Sequence, residues 1–138
     1  MSEDRQVDEA REVRRETIVE ADEADVWRAF TDPALLSEWL GDDAELDPVP
    51  GGEVSVGGPD GQREGRVLWV EEGRSLVFTW ARPGDDESIV QLELEPCVSG
   101  TRVTVVESLT QAGALTPTAM AWGASLARLS HATSLALA

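Results

Sequence analysis

From Gly41 to Leu109 the chain is punctuated by turn signals, and their spacing constrains the fold more than any other feature. Turn residues fall at Pro50 to Gly52, Gly57 to Gly61, Glu72-Gly73, Pro83 to Asp86 and Ser99-Gly100. Between them lie short runs rich in Val, Leu, Phe, Trp and Thr: GRVLWVE, SLVFTWA, SIVQLELE and TRVTVVES. The Pro-Gly-Gly turn divides ELDPVPGGEVSV into two further strands. Alternating runs separated by turns every ~8–14 residues specify an antiparallel meander.

The flanks have a different period. VRRETIVEA, Val13 to Ala21, reads as a first strand, with Val13, Arg15, Thr17 and Val19 on one face. VWRAFTDPALLSEWL, Val26 to Leu40, reads as two short helices joined by a bend. Asp22 is a suitable N-cap, Asp25 suits the helix dipole, and Val26, Trp27 and Phe30 form the apolar face. Asp32-Pro33 restarts the pattern, because proline at the first helical position loses no hydrogen bond. Leu35, Leu36, Trp39 and Leu40 form the second face, and Gly41 is expected to end that helix. From about Thr116 a C-terminal helix of roughly twenty residues puts Leu115, Ala119, Trp122, Leu126, Leu129 and Thr133 on one side. Residues 1–11 are polar and expected to be flexible, leaving 12–138 as a single domain.

The net charge is −16, a field that opposes nucleic-acid backbones and anionic membrane surfaces. No apolar run approaches the ~18 residues of a membrane span, and the charged N-terminus is unlike a signal peptide. Cys97 is the single cysteine, which suits a reducing cytoplasm. Lys, Asn and Tyr are absent and Ile occurs twice, a bias expected of a GC-rich genome, bacterial or from a salt-loving archaeon. All 27 acidic residues lie at or before Glu107, and Arg128 is the one Arg, Lys, Asp or Glu after it.

This order of elements resembles the helix-grip fold of the START-like, or SRPBCC, superfamily, and most closely the group named after the activator of Hsp90 ATPase. The residues that carry the likeness are ADEADVWRAFTDPALLSEWL, the Pro50-Gly51-Gly52 turn, GRVLWVEEGRSLVFTW, GTRVTV, and Trp122 before Leu126 and Leu129. The resemblance implies an α+β fold: a curved antiparallel sheet around a long C-terminal helix, with two short helices after the first strand. It also implies a cavity between sheet and helix. The family has no strict catalytic motif, so it implies no catalytic residue.

The sequence itself shows no P-loop and no dinucleotide fingerprint; the Gly57 to Gly61 stretch is a hairpin turn. His131 and Cys97 are single and well separated, which argues against a metal site or a nucleophilic pair. No cofactor is expected. Acid pairs such as Asp42-Asp43 and Asp85-Asp86 fall in expected loops and read as solvated. Alternation puts Glu107 on the same face as Val103 and Val105; it either faces the cavity or reaches water at the strand end. Leu76, Phe78 and Trp80 share one strand face, and Trp122 lies on the covering helix. An aromatic chamber is therefore expected, with Trp39, Trp69, Phe78, Trp80, Glu107, Trp122 and Leu126 as ligand-binding candidates. Arg66 and Arg82 are further polar candidates, or solvent-facing residues. The leading expectation is non-catalytic binding of a small hydrophobic molecule. The alternatives are a co-chaperone-like interaction module and a cyclase- or hydrolase-type enzyme that depends on Glu107. The helix face bearing Met120, Ala124, Ala127, Arg128, His131 and Leu135 is poor in charge, so a homodimer or protein contact is expected there.

Overall fold

The computed structural model describes residues 12–58, 61–109 and 116–137, the side chains of 116–121 and 136–137 excepted. The expected flexible stretch 1–11, Leu115, and the side chains of Ala119 and Met120 lie outside the described residues. The elements run β1 (Glu12–Val19), α1 (Glu23–Thr31), α2 (Pro33–Trp39), β2 (Asp42–Leu46), β3 (Glu53–Gly57), β4 (Arg63–Glu71), β5 (Ser75–Trp80), β6 (Ser88–Cys97), β7 (Gly100–Leu109) and α3 (Thr116–Leu137). The seven strands form one antiparallel sheet in the order β1-β7-β6-β5-β4-β3-β2. The sheet curls into a half-barrel around the C-terminal helix, the expected α+β helix-grip architecture.

The pleat decides which side chains fill the concave face. Val13 and Val19 of β1, Val54 and Val56 of β3, and Leu76, Phe78 and Trp80 of β5 are buried. So are Val90, Leu92 and Leu94 of β6, with Val103 and Val105 of β7. α3 covers this face, packing on β1, α1 and α2. Its buried residues include Trp122, Leu126, Leu129 and Thr133, the described part of the expected stripe. Among the described residues no helix is long and apolar enough to cross a membrane.

Curling needs local breaks in the pleat. Val67 pairs with Phe78 but Trp69 pairs with Val77, so β4 carries one extra residue at Leu68. Such a bulge bends a strand and increases its twist. A Cβ on the nearby Gly65 would stand 1.7 Å from the Thr79 carbonyl oxygen, so β4 and β5 approach there as only glycine permits.

Two of the expected helix-end devices differ in detail. Asp32 caps α2 as expected, accepting from the Ala34 N–H at 3.0 Å with Pro33 next in the chain. Asp22 occupies the N-cap position of α1, yet its side chain makes no capping hydrogen bond. Gly41 follows Leu40, the C-cap of α2, and does not have the positive φ of a left-handed cap. Its role is close approach: a Cβ there would lie 2.5 Å from Val56 Cγ1 and 2.6 Å from the Gly57 oxygen. The bend between the two helices is held from inside, where Trp39 Nε1 donates to the Ala29 carbonyl at 2.8 Å.

Candidate functional site

Glu107 lies near the end of β7, and the regular pairing of β7 with both neighbours keeps it on the inner face. It is 2% exposed. Of the two orientations open in the sequence, the structure has the buried one. A buried carboxylate is costly unless it is fully hydrogen-bonded. Here Trp80 Nε1 donates to Oε2 at 2.8 Å and Ser88 Oγ donates to the same oxygen at 2.5 Å. Trp122 Nε1 donates to Oε1 at 2.6 Å. The sheet register brings the first two donors together: Val90 of β6 faces Glu107, and Ser88, two residues away on the same face, faces Trp80. The third donor arrives from α3. Among the described residues no buried side-chain nitrogen or oxygen lacks a partner.

The aromatic side chains form a continuous series through this core. Phe30 contacts Trp39, with centroids 5.6 Å apart, and Trp39 contacts Trp122 at 6.5 Å. Trp122 stacks on Trp80 at 5.7 Å, and Trp80 meets Phe78 edge-on at 5.4 Å. Trp39, Phe78, Trp80, Glu107 and Trp122 are thus brought together, and Leu126 is buried one helical turn beyond Trp122. Trp69 is not among them. Alternation from Val67 would turn it inward, but the extra residue at Leu68 reverses the face, leaving Trp69 57% exposed.

A cleft of about 370 Å³ opens where the β2–β4 edge of the sheet meets α3. Leu40, Val56 and Ala124 supply apolar lining, and Trp80 is the one aromatic side chain that borders it. Asp42, Arg63, Ser125 and Arg128 supply the polar part. The other six expected lining residues lie outside this cleft, either packed in the core behind Trp80 or, for Trp69, on the opposite face of the sheet. The Arg63 guanidinium carbon sits 4.7 Å from the Trp80 ring centroid, a cation–π geometry. Arg128 Nη2 donates to the Trp39 carbonyl at 3.2 Å, a cation at the C-terminal end of α2.

Neither of these arginines was singled out for the site from the sequence. Arg66 is exposed and reaches the Gly51 carbonyl, while Arg82 pairs with Asp85 at 2.8 Å. The available signal for Arg128 was its isolation in an otherwise uncharged C-terminal segment. Arg63 had none, because its place depends on where the curled edge meets the helix. Cys97 ends β6 beside the start of α1, and His131 is exposed on α3. Among the described residues no three His, Cys, Asp or Glu side chains are grouped to hold a metal ion.

The family model described as activator of Hsp90 ATPase homolog 1-like protein matches residues 20–134. No curated protein matches the chain. Among solved structures, protein MLL2253 from Mesorhizobium loti is 25% identical with a TM-score of 0.80, over 90% of this chain and 97% of that one. Protein NE0264 from Nitrosomonas europaea is 25% identical with a TM-score of 0.77, over 94% and 97%. The Aha1 dimer from Colwellia psychrerythraea is similar in fold alone, at 16% identity and a TM-score of 0.77, over 88% and 95%.

The carboxylate cluster makes a direct prediction. Glu107→Gln replaces one acceptor oxygen with an NH2 group, which cannot accept from an indole or hydroxyl donor. Urea unfolding should show a loss of about 1–3 kcal/mol, the cost of stranding a buried donor. An unchanged midpoint and slope would contradict the assigned bonding.

Proposed function

Since the chain belongs to the activator of Hsp90 ATPase homolog 1-like family, we propose that it binds a small, flat, apolar molecule without transforming it. The observation that carries this reading is the cleft whose inner wall includes Trp80, held in place by Glu107 behind it. Its volume of about 370 Å³ falls in the range of small-molecule sites, which run to roughly 300–1,000 Å³. Leu40, Val56 and Ala124 supply its apolar surface, and Trp80, packed between Trp122 and Arg63, forms part of the rigid border. Both Glu107 oxygens are engaged by protein donors and the residue lies outside the cleft lining. That favours a positioning role for Glu107 over the acid–base role an enzyme of this superfamily would need. The single cysteine and the absence of a spanning helix among the described residues fit a cytoplasmic carrier or sensor.

The test uses N-phenyl-1-naphthylamine, a neutral flat probe, titrated against the wild type and Ala124→Trp. Saturable single-site binding that the substitution weakens by about tenfold or more is the expected result. Absence of saturable binding, or binding indifferent to Ala124→Trp, would contradict the reading.

A protein contact through α3 is the second reading. It is favoured by the exposed Ala127, His131 and Leu135, which share one side of that helix, Leu135 being 41% exposed. The face is narrower than its sequence pattern, because Ala124 and Arg128 border the cleft instead. A second copy would bury the same stripe twice about a two-fold axis, as a solved relative described as a dimer makes reasonable. Sedimentation should give a dimer that Ala127→Glu with Leu135→Glu converts to a folded monomer. A wild-type monomer at high concentration would contradict this reading.

A further inference from the structure

We infer that the molecule taken by the cleft carries a single negative charge, held between Arg63 and Arg128, with its flat body against Leu40, Val56 and Ala124. This deepens the binding reading above and rests on it. The inference comes from how arginine is used in a chain of net charge −16. Arg14, Arg74, Arg82 and Arg102 each pair with a carboxylate. Arg63 and Arg128 both border the cleft, and among the described residues neither has a carboxylate within ion-pair distance. Arg15 and Arg66 share that lack, but both are exposed and neither borders the cleft.

Each guanidinium is already steered by the protein. The Arg63 guanidinium carbon lies over the Trp80 ring, and a guanidinium carries five N–H donors. Arg128 is anchored through one nitrogen to the Trp39 carbonyl, which leaves further N–H donors on the same planar group. Planar forks of this kind match the two oxygens of a carboxylate. Holding them in advance lowers the entropy lost on binding.

The charge balance sets the valence. Asp42 also borders the cleft, so among the described residues its three charged side chains sum to one positive charge. Charges beyond a Debye length of about 8 Å are largely screened at physiological salt, so the local sum decides the sign. A monoanion balances that sum, whereas a polyanion would leave uncompensated negative charge beside Asp42. The fitting class is an aromatic or polycyclic acid with one carboxylate.

The test compares 2-naphthoic acid with neutral 2-naphthamide, two ligands of one shape, by following the Trp80 indole N–H in NMR titrations. The wild type should prefer the acid by about tenfold or more, the worth of one charge-assisted hydrogen bond. Arg63→Gln should remove most of that preference, and Asp42→Asn should increase acid affinity while leaving the amide unchanged. Because Arg63→Gln also loses the ring contact, Arg128→Gln serves as the second variant and should reduce the preference in the same direction. Equal binding of acid and amide by the wild type would overturn the inference while leaving the cleft as an apolar site. Binding of neither would overturn the cleft reading and this inference with it.

Discussion

The carboxylate of Glu107 is the point through which the sheet and its covering helix are joined. Hydrophobic burial alone would hold α3 in the half-barrel, but it is non-directional. The bonds to Glu107 add direction. Trp80 from β5, Ser88 from β6 and Trp122 from α3 converge on one side chain of β7. Hydrogen bonds to a charged group contribute about 1.5–3 kcal/mol each, against about 1 for a neutral pair. Their removal leaves buried indole N–H groups with no acceptor, so the cost of breaking the cluster exceeds the gain from forming it. Bonds of this sort are directional, so they orient α3 on the sheet as apolar contact alone does not.

That arrangement determines where a ligand can go. Stacking of Trp122 on Trp80 and the run of rings through Trp39 to Phe30 form one packed aromatic series inside the grip. A cleft opens at the rim, where the β2–β4 edge curls up to α3 and glycines keep the walls thin. Gly41, Gly57, Gly58 and Gly61 all border the cleft. The consequence is a cleft bordered by one aromatic residue, apolar edges and two cations.

Much of this was legible from the residues. The turn spacing gave the meander, Asp32-Pro33 gave the bend between α1 and α2, and the helical period gave the buried face of α3. The face that Glu107 occupies was legible because β7 is regular on both sides, so simple alternation holds along it, whereas its burial was left open against water at the strand end. Trp69 was not, since a single bulge residue reverses every face that follows it in the strand, and nothing in GRVLWVE marks Leu68 as the extra one. The cleft was not legible either. Arg63, Asp42 and Arg128 are far apart in sequence, and they meet only because the curled sheet edge closes on the helix. Local patterns carry periodicity and capping; they do not carry the curvature that brings distant polar residues to one rim.

The most direct measurement is a double-mutant cycle between Glu107 and Trp122, using Glu107→Leu, Trp122→Phe and the pair, each followed by urea unfolding. If the carboxylate ties the helix to the sheet, the two substitutions will be non-additive, with a coupling of about 1–3 kcal/mol. Costs that add to within about 0.5 kcal/mol would show that the helix is held by apolar packing alone, and would contradict the account.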